Sequence, residues 1–377
     1  MKRKYDFIPV SEPVLDGNEK KYVLDCIDSG WISSEGPYVE KFESQMCQIT
    51  GRKYAVALSN GTVALELAVR ALKIGEGDEV IIPSFTIISC AMAVLKNGAK
   101  PVLVDSDINT WNVDTEKIES KITKRTKAIM VVHIYGLPVN MDKIISLCKK
   151  YNLLLIEDAA EMHGQTYKNK PCGSFGNISV FSFYPNKHIT TGEGGMVLTD
   201  DLELADYCKS LRNLCFNNKQ RFIHEELGYN FRMSNIQAAL GLAQAEKLEN
   251  TINIKREIGK KYTELLKSNN ALILSPNNVD YAKNIYWVYG IIIDNKVIDY
   301  KAKLICERLA QFGIATRPFF FGMHLQPVFQ KMQLFNNEKY PISDQMSNYG
   351  FYIPSSINLE DEKIEYIVNV VNEVTLL

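Results

Sequence analysis

The stretch Leu153-Leu-Leu-Ile-Glu-Asp-Ala-Ala-Glu161 decides the fold prediction. Its first four residues are apolar without interruption, as is typical of a strand buried on both faces of a parallel sheet flanked by helices. Carboxylates follow at once, at Glu157, Asp158 and Glu161. Ligands of open α/β sheets bind outside the carboxyl ends of the strands, so these acidic residues predict a ligand site.

Runs of the same kind recur on both sides of this stretch and predict further strands of one sheet. They are Tyr54–Leu58, Glu79–Ile82, Pro101–Asp105, Ala128–Val132, Ser179–Phe183 and Gly195–Thr199. Helical patterns separate several of them, such as the helix that Asn60 and Gly61 open. The alternation predicts an α/β fold with a mostly parallel central sheet flanked by helices.

The pattern changes in the last third of the chain, where a smaller second domain is expected. An uninterrupted helix is predicted from Asn235 to about Leu266, because this stretch carries many helix-forming residues and lacks Pro. The later elements are a strand over Tyr286–Ile293 and helices near residues 301–312 and 362–376. We therefore predict a large domain over residues 1–250 and a small C-terminal α+β domain over residues 251–377.

Composition argues against several classes of protein. The 377 residues carry 43 Lys and Arg against 44 Asp and Glu, so the chain lacks the basic footprint of a nucleic-acid binder. No apolar stretch reaches the ~20 residues that a membrane-spanning helix needs, and no apolar region follows the basic N-terminus, so no signal peptide is expected. The eight cysteines lack CxxC pairs and zinc-ligand spacing, which favours reduced thiols in a cytoplasmic protein without a metal site.

Asp158 stands at the end of a predicted buried strand, where a carboxylate is costly without a partner. The ring nitrogen of a pyridinium would be such a partner, because the charge pair would keep that nitrogen protonated and the ring electron-withdrawing. A helix N-cap and a Mg²⁺ ligand are the alternatives for this residue.

Lys187 follows the predicted strand Ser179–Phe183 closely. Partial desolvation there would lower its pKa and leave a neutral amine able to attack a carbonyl, although lysine is more often a surface residue. Ser182 could donate a hydrogen bond to a phosphate. Three glycines among residues 192–195 indicate a tightly turned or closely approached backbone. They are not a GxGxxG nucleotide motif, because a strand follows them instead of a helix.

Ser59-Asn-Gly-Thr62 lies at a predicted strand-to-helix turn. Glycine lets the backbone approach a ligand closely, and a helix N-terminus presents unpaired N–H groups, so this turn suits a phosphate. A plain N-cap formed by Ser59 or Asn60 is the alternative.

In this order, the segments resemble the sugar aminotransferases of the DegT/DnrJ/EryC1/StrS family, a branch of the fold type I enzymes that use pyridoxal 5′-phosphate (PLP). The likeness runs from about Val10 to the C-terminus. It includes Gly30-Trp-Ile-Ser-Ser-Glu-Gly-Pro37 and Tyr229-Asn-Phe-Arg-Met-Ser234. Its most specific part is the combination of segments at the ends of the predicted strands.

The resemblance implies roles for the residues of the expected PLP site. Lys187 would bind the cofactor covalently and move protons between it and the substrate carbon. Asp158 would pair with the ring nitrogen. Gly61 and Thr62 would hold the phosphate with backbone N–H groups, helped by the hydroxyl of Ser182.

Other contacts implied by the resemblance surround the ring and cross the subunit boundary. Ala160 would pack on the ring, and Glu161, where the family often has glutamine, would lie near its phenolic oxygen. Asn230 would reach the phosphate in the neighbouring subunit, which implies a homodimer. The family usually stacks an aromatic side chain on the ring from the position that Ile87 holds here, and Phe85 is a near neighbour.

The reaction implied is transfer of an amino group from L-glutamate to a keto sugar nucleotide. Arg317-Pro-Phe-Phe-Phe321 and His324 resemble a segment of those family members that aminate C4 of GDP-4-keto-6-deoxymannose, which makes Arg317 and His324 candidate substrate ligands. The planar guanidinium fork suits phosphate. A surface ion pair for Arg317 and a structural role for His324 are the alternatives. Other family members use UDP- or dTDP-linked keto sugars or other small keto compounds.

Three rival functions are less favoured. Family members that act as PLP-dependent sugar dehydratases have histidine where Lys187 stands, although His188 is adjacent. A regulator or scaffold on this fold is expected to lack Lys187 or Asp158, and both are present. A Rossmann oxidoreductase would carry GxGxxG.

Overall fold

The computed structural model describes residues 3–216 and 222–375. The strands, in chain order, are β1 (Tyr54–Leu58), β2 (Glu79–Pro83), β3 (Lys100–Val104), β4 (Thr126–Val132), β5 (Leu154–Asp158), β6 (Thr166–Tyr167), β7 (Lys170–Pro171), β8 (Ile178–Ser182), β9 (Gly195–Thr199), β10 (Leu272–Leu274), β11 (Asn278–Val279), β12 (Ala282–Lys283), β13 (Tyr289–Ile293), β14 (Arg317–Pro318) and β15 (Gly350–Ile353).

The helices are α1 (Glu19–Asp28), α2 (Pro37–Thr50), α3 (Gly61–Ala71), α4 (Ser89–Lys96), α5 (Thr115–Ile118), α6 (Met141–Tyr151), α7 (Leu202–Arg212), α8 (Asn235–Ala245), α9 (Leu248–Leu266), α10 (Ala302–Gln311), α11 (Pro327–Lys331), α12 (Pro341–Tyr349) and α13 (Asp361–Thr375). Among the described residues, no helix is both long and apolar enough to cross a membrane. Residue 376, the predicted end of the terminal helix, lies outside the described ranges.

The central sheet has seven strands in the order β1-β9-β8-β5-β4-β2-β3. β9 pairs antiparallel with both of its neighbours, and the remaining pairs are parallel. The carboxyl ends of β1, β5 and β8 therefore meet at one edge of the sheet, where β9 begins. This topology confirms the prediction of a mostly parallel α/β fold and brings the candidate site segments to that edge.

Apolar side chains cover both faces of the central sheet. One core contains residues of α3 and α4, such as Leu67 and Val94, and the other contains residues of α2, α6 and α8, such as Phe42 and Ile144. These helices are amphipathic, so packing against the sheet stabilises them more than their intrinsic propensity does.

A second, antiparallel sheet has the order β10-β13-β15-β14, and α9, α10 and α13 contribute to its core. The segment around Ile8 also packs there, through a bridge to Ile314. The division into domains over residues 1–250 and 251–377 stays a prediction.

Two predicted elements are wrong in extent. The helix over Asn235–Leu266 is broken between α8 and α9, because Lys247 leaves helical geometry and its Nζ binds Asp16 Oδ1 at 2.5 Å and Glu19 Oε1 at 2.8 Å. The strand predicted to begin at Tyr286 begins at Tyr289, because Tyr286 has a φ of 49°, outside the strand region.

Candidate active site

The phosphate-type turn lies where β1 leads into α3. Asn60 caps this helix, since its side-chain oxygen accepts a hydrogen bond from the backbone N–H of Val63 at 3.0 Å. A Cβ on Gly61 would stand 2.7 Å from the Cβ of Ser182, and one on Gly195 would stand 2.3 Å from the carbonyl oxygen of Asn60. The two glycines thus allow the helix N-terminus, the end of β8 and the start of β9 to converge. The two interpretations of this turn, a helix N-cap and an anion site, are compatible. Capping by Asn60 leaves other N–H groups of the first turn open to a ligand.

Thr62 lies beside Gly61 in the first turn of α3. Its hydroxyl forms a 2.8 Å hydrogen bond with the hydroxyl of Ser89 in α4. The side chain is therefore held within the protein, and the backbone N–H of Thr62 is a group that the first turn offers to an anion.

Asp158 ends β5 and is 2% exposed. Its Oδ1 accepts a hydrogen bond from the N–H of Ala160 at 3.1 Å, and its Oδ2 accepts one from the thiol of Cys90 at 3.4 Å. Burial raises the pKa of Asp158, and these two donors together with the charges of Lys187 and His133 oppose that rise. A buried carboxylate with so few donors is a suitable partner for a cationic ring nitrogen.

Glu157, the preceding residue, is satisfied by the protein itself. It accepts hydrogen bonds from the N–H groups of Gly173 at 2.6 Å and Phe175 at 2.7 Å, and its carboxylate lies 3.1 Å from His133 Nε2. Cys172 offers a sulfur within 4.8 Å of both side chains, so the three could hold a metal ion. Since Glu157 already has its hydrogen-bond partners, the contrast singles out Asp158 as the carboxylate that needs a ligand.

Lys187 and Glu161 form a buried pair beside Asp158. The Nζ of Lys187 lies 3.8 Å from Glu161 Oε1 and 3.5 Å from the centre of the Trp287 ring. Burial lowers the pKa of Lys187, and the charges of Glu161 and Asp158 oppose that effect. The amine is therefore desolvated and its neutral form is more accessible than in an exposed lysine, as a nucleophilic lysine requires.

Burial also sets the pKa of Glu161. It raises the pKa of Glu161 to about 8, although the charge of Lys187 lowers it. The Oε2 atom accepts a hydrogen bond from the backbone N–H of Tyr135 at 2.6 Å, which fixes the carboxyl group and leaves Oε1 facing the amine. Ala160 separates the two acidic residues and is partly exposed, so its face is open to a ligand.

Phe85 and Ile87 differ in their surroundings. Phe85 is fully buried and packs its ring against Tyr135, Phe319 and Phe320 at centroid distances between 5.8 and 6.2 Å. Ile87 is 42% exposed. The neighbouring aromatic side chain is therefore engaged in the core, and the aliphatic side chain is the one that solvent reaches.

The remaining candidates come from other segments of the chain. Asn230 is exposed and forms a bridge with Asn213. Arg317 is exposed on the edge strand β14 opposite Tyr352, and it forms no ion pair with a carboxylate within the described ranges. His324 is buried, its Nε2 lies 2.8 Å from Asp344 Oδ1, and its buried Nδ1 has no hydrogen-bond partner among the described residues, so its role stays a prediction.

Three residues of the site carried no signal in the sequence. Cys90, Tyr135 and Trp287 contact Asp158, Glu161 and Lys187 respectively, yet each comes from a segment that predicts only a helix, a loop or a strand. Trp287 also donates from its indole nitrogen to the carbonyl oxygen of Asn186 at 2.8 Å, which anchors the ring next to the lysine.

Comparison with known proteins supports the same chemistry. GDP-perosamine synthase from Escherichia coli O157:H7 is 43% identical over 97% of this chain and 98% of its own length. The structure of PseC from Helicobacter pylori, an aminotransferase involved in the biosynthesis of pseudoaminic acid, matches with a TM-score of 0.93 at 30% identity, over 99% of this chain and all of that one. The PLP form of the putative sugar aminotransferase Spr1654 from Streptococcus pneumoniae matches with a TM-score of 0.91 at 26% identity, over 99% of each chain.

The family model described as the DegT/DnrJ/EryC1/StrS aminotransferase family matches residues 13–372. This match covers nearly the whole chain, and the buried lysine, the lone strand-end carboxylate and the glycine-lined helix N-terminus fit PLP. The chain belongs to the DegT/DnrJ/EryC1/StrS aminotransferase family and is a PLP-dependent aminotransferase, as the sequence predicted.

Proposed function

We propose that this enzyme transfers the amino group of L-glutamate to C4 of GDP-4-keto-6-deoxymannose, which yields GDP-perosamine. The observation that carries the transamination chemistry is the buried Lys187 amine, 3.8 Å from Glu161 and within electrostatic reach of Asp158. The choice of sugar nucleotide rests on the 43% identity with GDP-perosamine synthase from Escherichia coli O157:H7.

Each side chain of the site has a task that its surroundings allow. Bound PLP supplies an electron-withdrawing ring that stabilises negative charge on the carbon next to the transferred amine. Asp158 holds a proton on the ring nitrogen, since a buried carboxylate gains most from a cationic partner. Lys187 would hold the cofactor, and its amine, whose pKa burial lowers, would be the group that moves a proton to and from the substrate carbon.

The phosphate of PLP would lie against the N-terminus of α3. The N–H groups of Gly61 and Thr62 and the hydroxyl of Ser182 are the donors, and the absence of a side chain at Gly61 makes room for the close approach of β8. Ala160 and Ile87 would line the faces of the ring, and Glu161 would lie near its phenolic oxygen.

A homodimer is part of the proposal. Asn230 is exposed in the single chain, and apolar side chains of two segments are exposed as well, with Trp31 at 51%, Ile32 at 53%, Ile223 at 52% and Leu227 at 87%. We propose that these side chains are covered by a second copy of the chain, because large apolar side chains are common in subunit interfaces. Burying them against a second copy would let Asn230 reach the phosphate in the partner's site.

Subunit mixing tests this arrangement. Lys187→Ala and Asn230→Asp chains, each inactive alone, are expected to regain activity when they are co-expressed, because each mixed dimer has one site with both native residues. Activity that stays at the level of the separate variants would contradict sharing of the site. Sedimentation of the wild-type protein measures the dimer directly.

The substrate is tested by presenting GDP-, UDP- and dTDP-linked keto sugars together with glutamate and measuring the release of 2-oxoglutarate. We expect turnover with GDP-4-keto-6-deoxymannose and at least ~10-fold lower kcat/KM with the others, a difference of about 1.4 kcal/mol in transition-state binding. Arg317→Ala should raise KM for the sugar nucleotide and leave the half-reaction with glutamate unchanged. Equal loss in both half-reactions would contradict a role for Arg317 in binding the nucleotide.

A different keto sugar is the second candidate. It is favoured by the high structural similarity to PseC, whose stated pathway is that of pseudoaminic acid. The same screen decides between the two candidate substrates.

We also propose that the enzyme acts in the cytoplasm. All eight of its cysteines are free thiols, and a reducing compartment keeps them so.

A further inference from the structure

Cys90 is the cysteine that contacts the strand-end carboxylate. It lies in α4, is fully buried, and has its Sγ 3.4 Å from Asp158 Oδ2 and 3.5 Å from the hydroxyl oxygen of Thr86. Composition and spacing gave no reason to separate this thiol from the other seven. Its position in the structure separates it from them, because its thiol binds one oxygen of Asp158, the carboxylate expected to pair with the ring nitrogen of PLP.

The direction of these hydrogen bonds follows from protonation. Burial and the charge of Asp158 raise the pKa of the Cys90 thiol well above its usual value, so the sulfur keeps its proton. A carboxylate can only accept, so the S–H donates to Asp158 and the hydroxyl of Thr86 donates to the sulfur. The result is an oriented chain from Thr86 through Cys90 to Asp158.

We propose that Cys90 is a positioning residue that fixes the rotation of the Asp158 carboxylate and helps to keep it ionised toward the pyridine nitrogen of PLP. The inference rests on the proposed function of Asp158. The N–H of Ala160 holds Oδ1 at 3.1 Å and the thiol holds Oδ2, so both oxygens are fixed before the cofactor arrives. A thiol is a weak donor, so it orients the carboxylate while leaving it a strong acceptor.

Infrared spectroscopy can detect the contact in the full-length, PLP-free protein, because the S–H stretch lies in a region free of other protein bands. Subtracting the Asp158→Asn spectrum from the wild-type spectrum should give a paired signal from one thiol, since the acceptor of a single S–H bond changes. The same subtraction in the Cys90→Ala background should give none. A flat wild-type difference, or a signal that persists without Cys90, would overturn the proposal.

The affinity for PLP tests whether the contact between Cys90 and Asp158 supports cofactor binding. Cys90→Ala should weaken PLP binding about 5- to 10-fold, as expected for loss of one hydrogen bond of ordinary net strength from a weak donor. Cys90→Ser retains a donor and should stay within ~2-fold of wild type, a difference well below that of one hydrogen bond. Cys208→Ala, at a buried cysteine of α7 outside the site, is the matched control and should leave the affinity unchanged.

These variants distinguish a failure of the role proposed for Cys90 from a failure of the role proposed for Asp158. Wild-type affinity in Cys90→Ala, or a Cys90→Ser variant as weak as Cys90→Ala, would overturn the positioning role. Wild-type affinity and turnover in Asp158→Asn would instead remove the proposed role of Asp158 itself. If Cys90→Ala does not fold, Cys90→Ser replaces it as the background of the infrared comparison, because serine also lacks the S–H group.

Discussion

Replacing Glu161 by glutamine tests the electrostatics of the site most directly. The carboxyl group is buried, accepts a hydrogen bond from the N–H of Tyr135 at 2.6 Å, and lies 3.8 Å from the amine of Lys187. Burial raises its pKa to about 8. At pH 7 Glu161 therefore holds a proton and can donate a hydrogen bond, as a glutamine amide would. This accounts for a glutamate at a position where the family often has glutamine.

The size and sign of the effect follow from linkage. Between the ordinary pKa of 4.5 and about 8, the folded protein holds a proton on Glu161 that the unfolded chain has released. The free energy of unfolding therefore falls as pH rises through this window, by ~1.4 kcal/mol per pH unit and by about 5 kcal/mol at most. Glu161→Gln cannot ionise, so this loss should be absent from the variant.

Urea unfolding of the PLP-free wild type and of Glu161→Gln, at one protein concentration and at several pH values between about 5 and 8, measures the difference. The wild type should lose stability relative to the variant as pH rises. In a Lys187→Met background the loss should begin at the same pH but continue to higher pH, because the lysine charge lowers the folded-state pKa of Glu161 and leaves its unfolded-state pKa unchanged. Parallel stability curves for wild type and Glu161→Gln across the window would refute a proton held on Glu161.

Three further substitutions test the cofactor site. Lys187→Ala should abolish release of 2-oxoglutarate from glutamate and remove the visible absorption band that borohydride bleaches in the wild type; wild-type turnover would show that another group does the chemistry. Asp158→Asn should fold normally and lose at least ~100-fold in kcat, the scale of an electrostatic contact made in the transition state. Gly61→Ala should weaken PLP binding, because its Cβ would stand 2.7 Å from that of Ser182, whereas a Cβ at the control Gly75→Ala meets nothing closer than 3.5 Å. Similar PLP affinities in the two glycine variants would contradict a close-packed phosphate site.

Local patterns in the sequence were sufficient for the central sheet. The strand at Gly195–Thr199 was predicted to the residue, and the one ending near Asp158 to within two residues, because strands buried on both faces of the sheet are short apolar runs between turn residues. The edge at which β1, β5 and β8 end follows from their parallel order, so the grouping of Gly61, Asp158 and Ser182 was also within reach of the sequence.

Features set by distant contacts were out of reach. Nothing in the residues around Lys247 resembles a helix stop, since Pro and Gly are absent there, yet two carboxylates near the N-terminus hold its side chain and break the helix. The pairing of His324 with Asp344 is of the same kind, because it depends on the packing of α12 and not on spacing along the chain.

The electrostatics of the site depend on both parts of the chain. Asp158, Glu161 and Lys187 stand on or after strands of the central sheet, but the ring over the amine, Trp287, comes from the segment that leads into β13 of the second sheet. Removing water from the lysine is what lowers its pKa, so the reactive amine exists only when the two sheets are packed together. If the domain boundary lies near residue 250, Asp158, Glu161 and Lys187 belong to the large domain. Trp287, whose ring covers the lysine amine, then belongs to the small domain. Within one chain, the surroundings of the Lys187 amine therefore depend on the packing of the two sheets, which explains why motifs from the first part identify the chemistry while the contact with Trp287 became visible only in the structure.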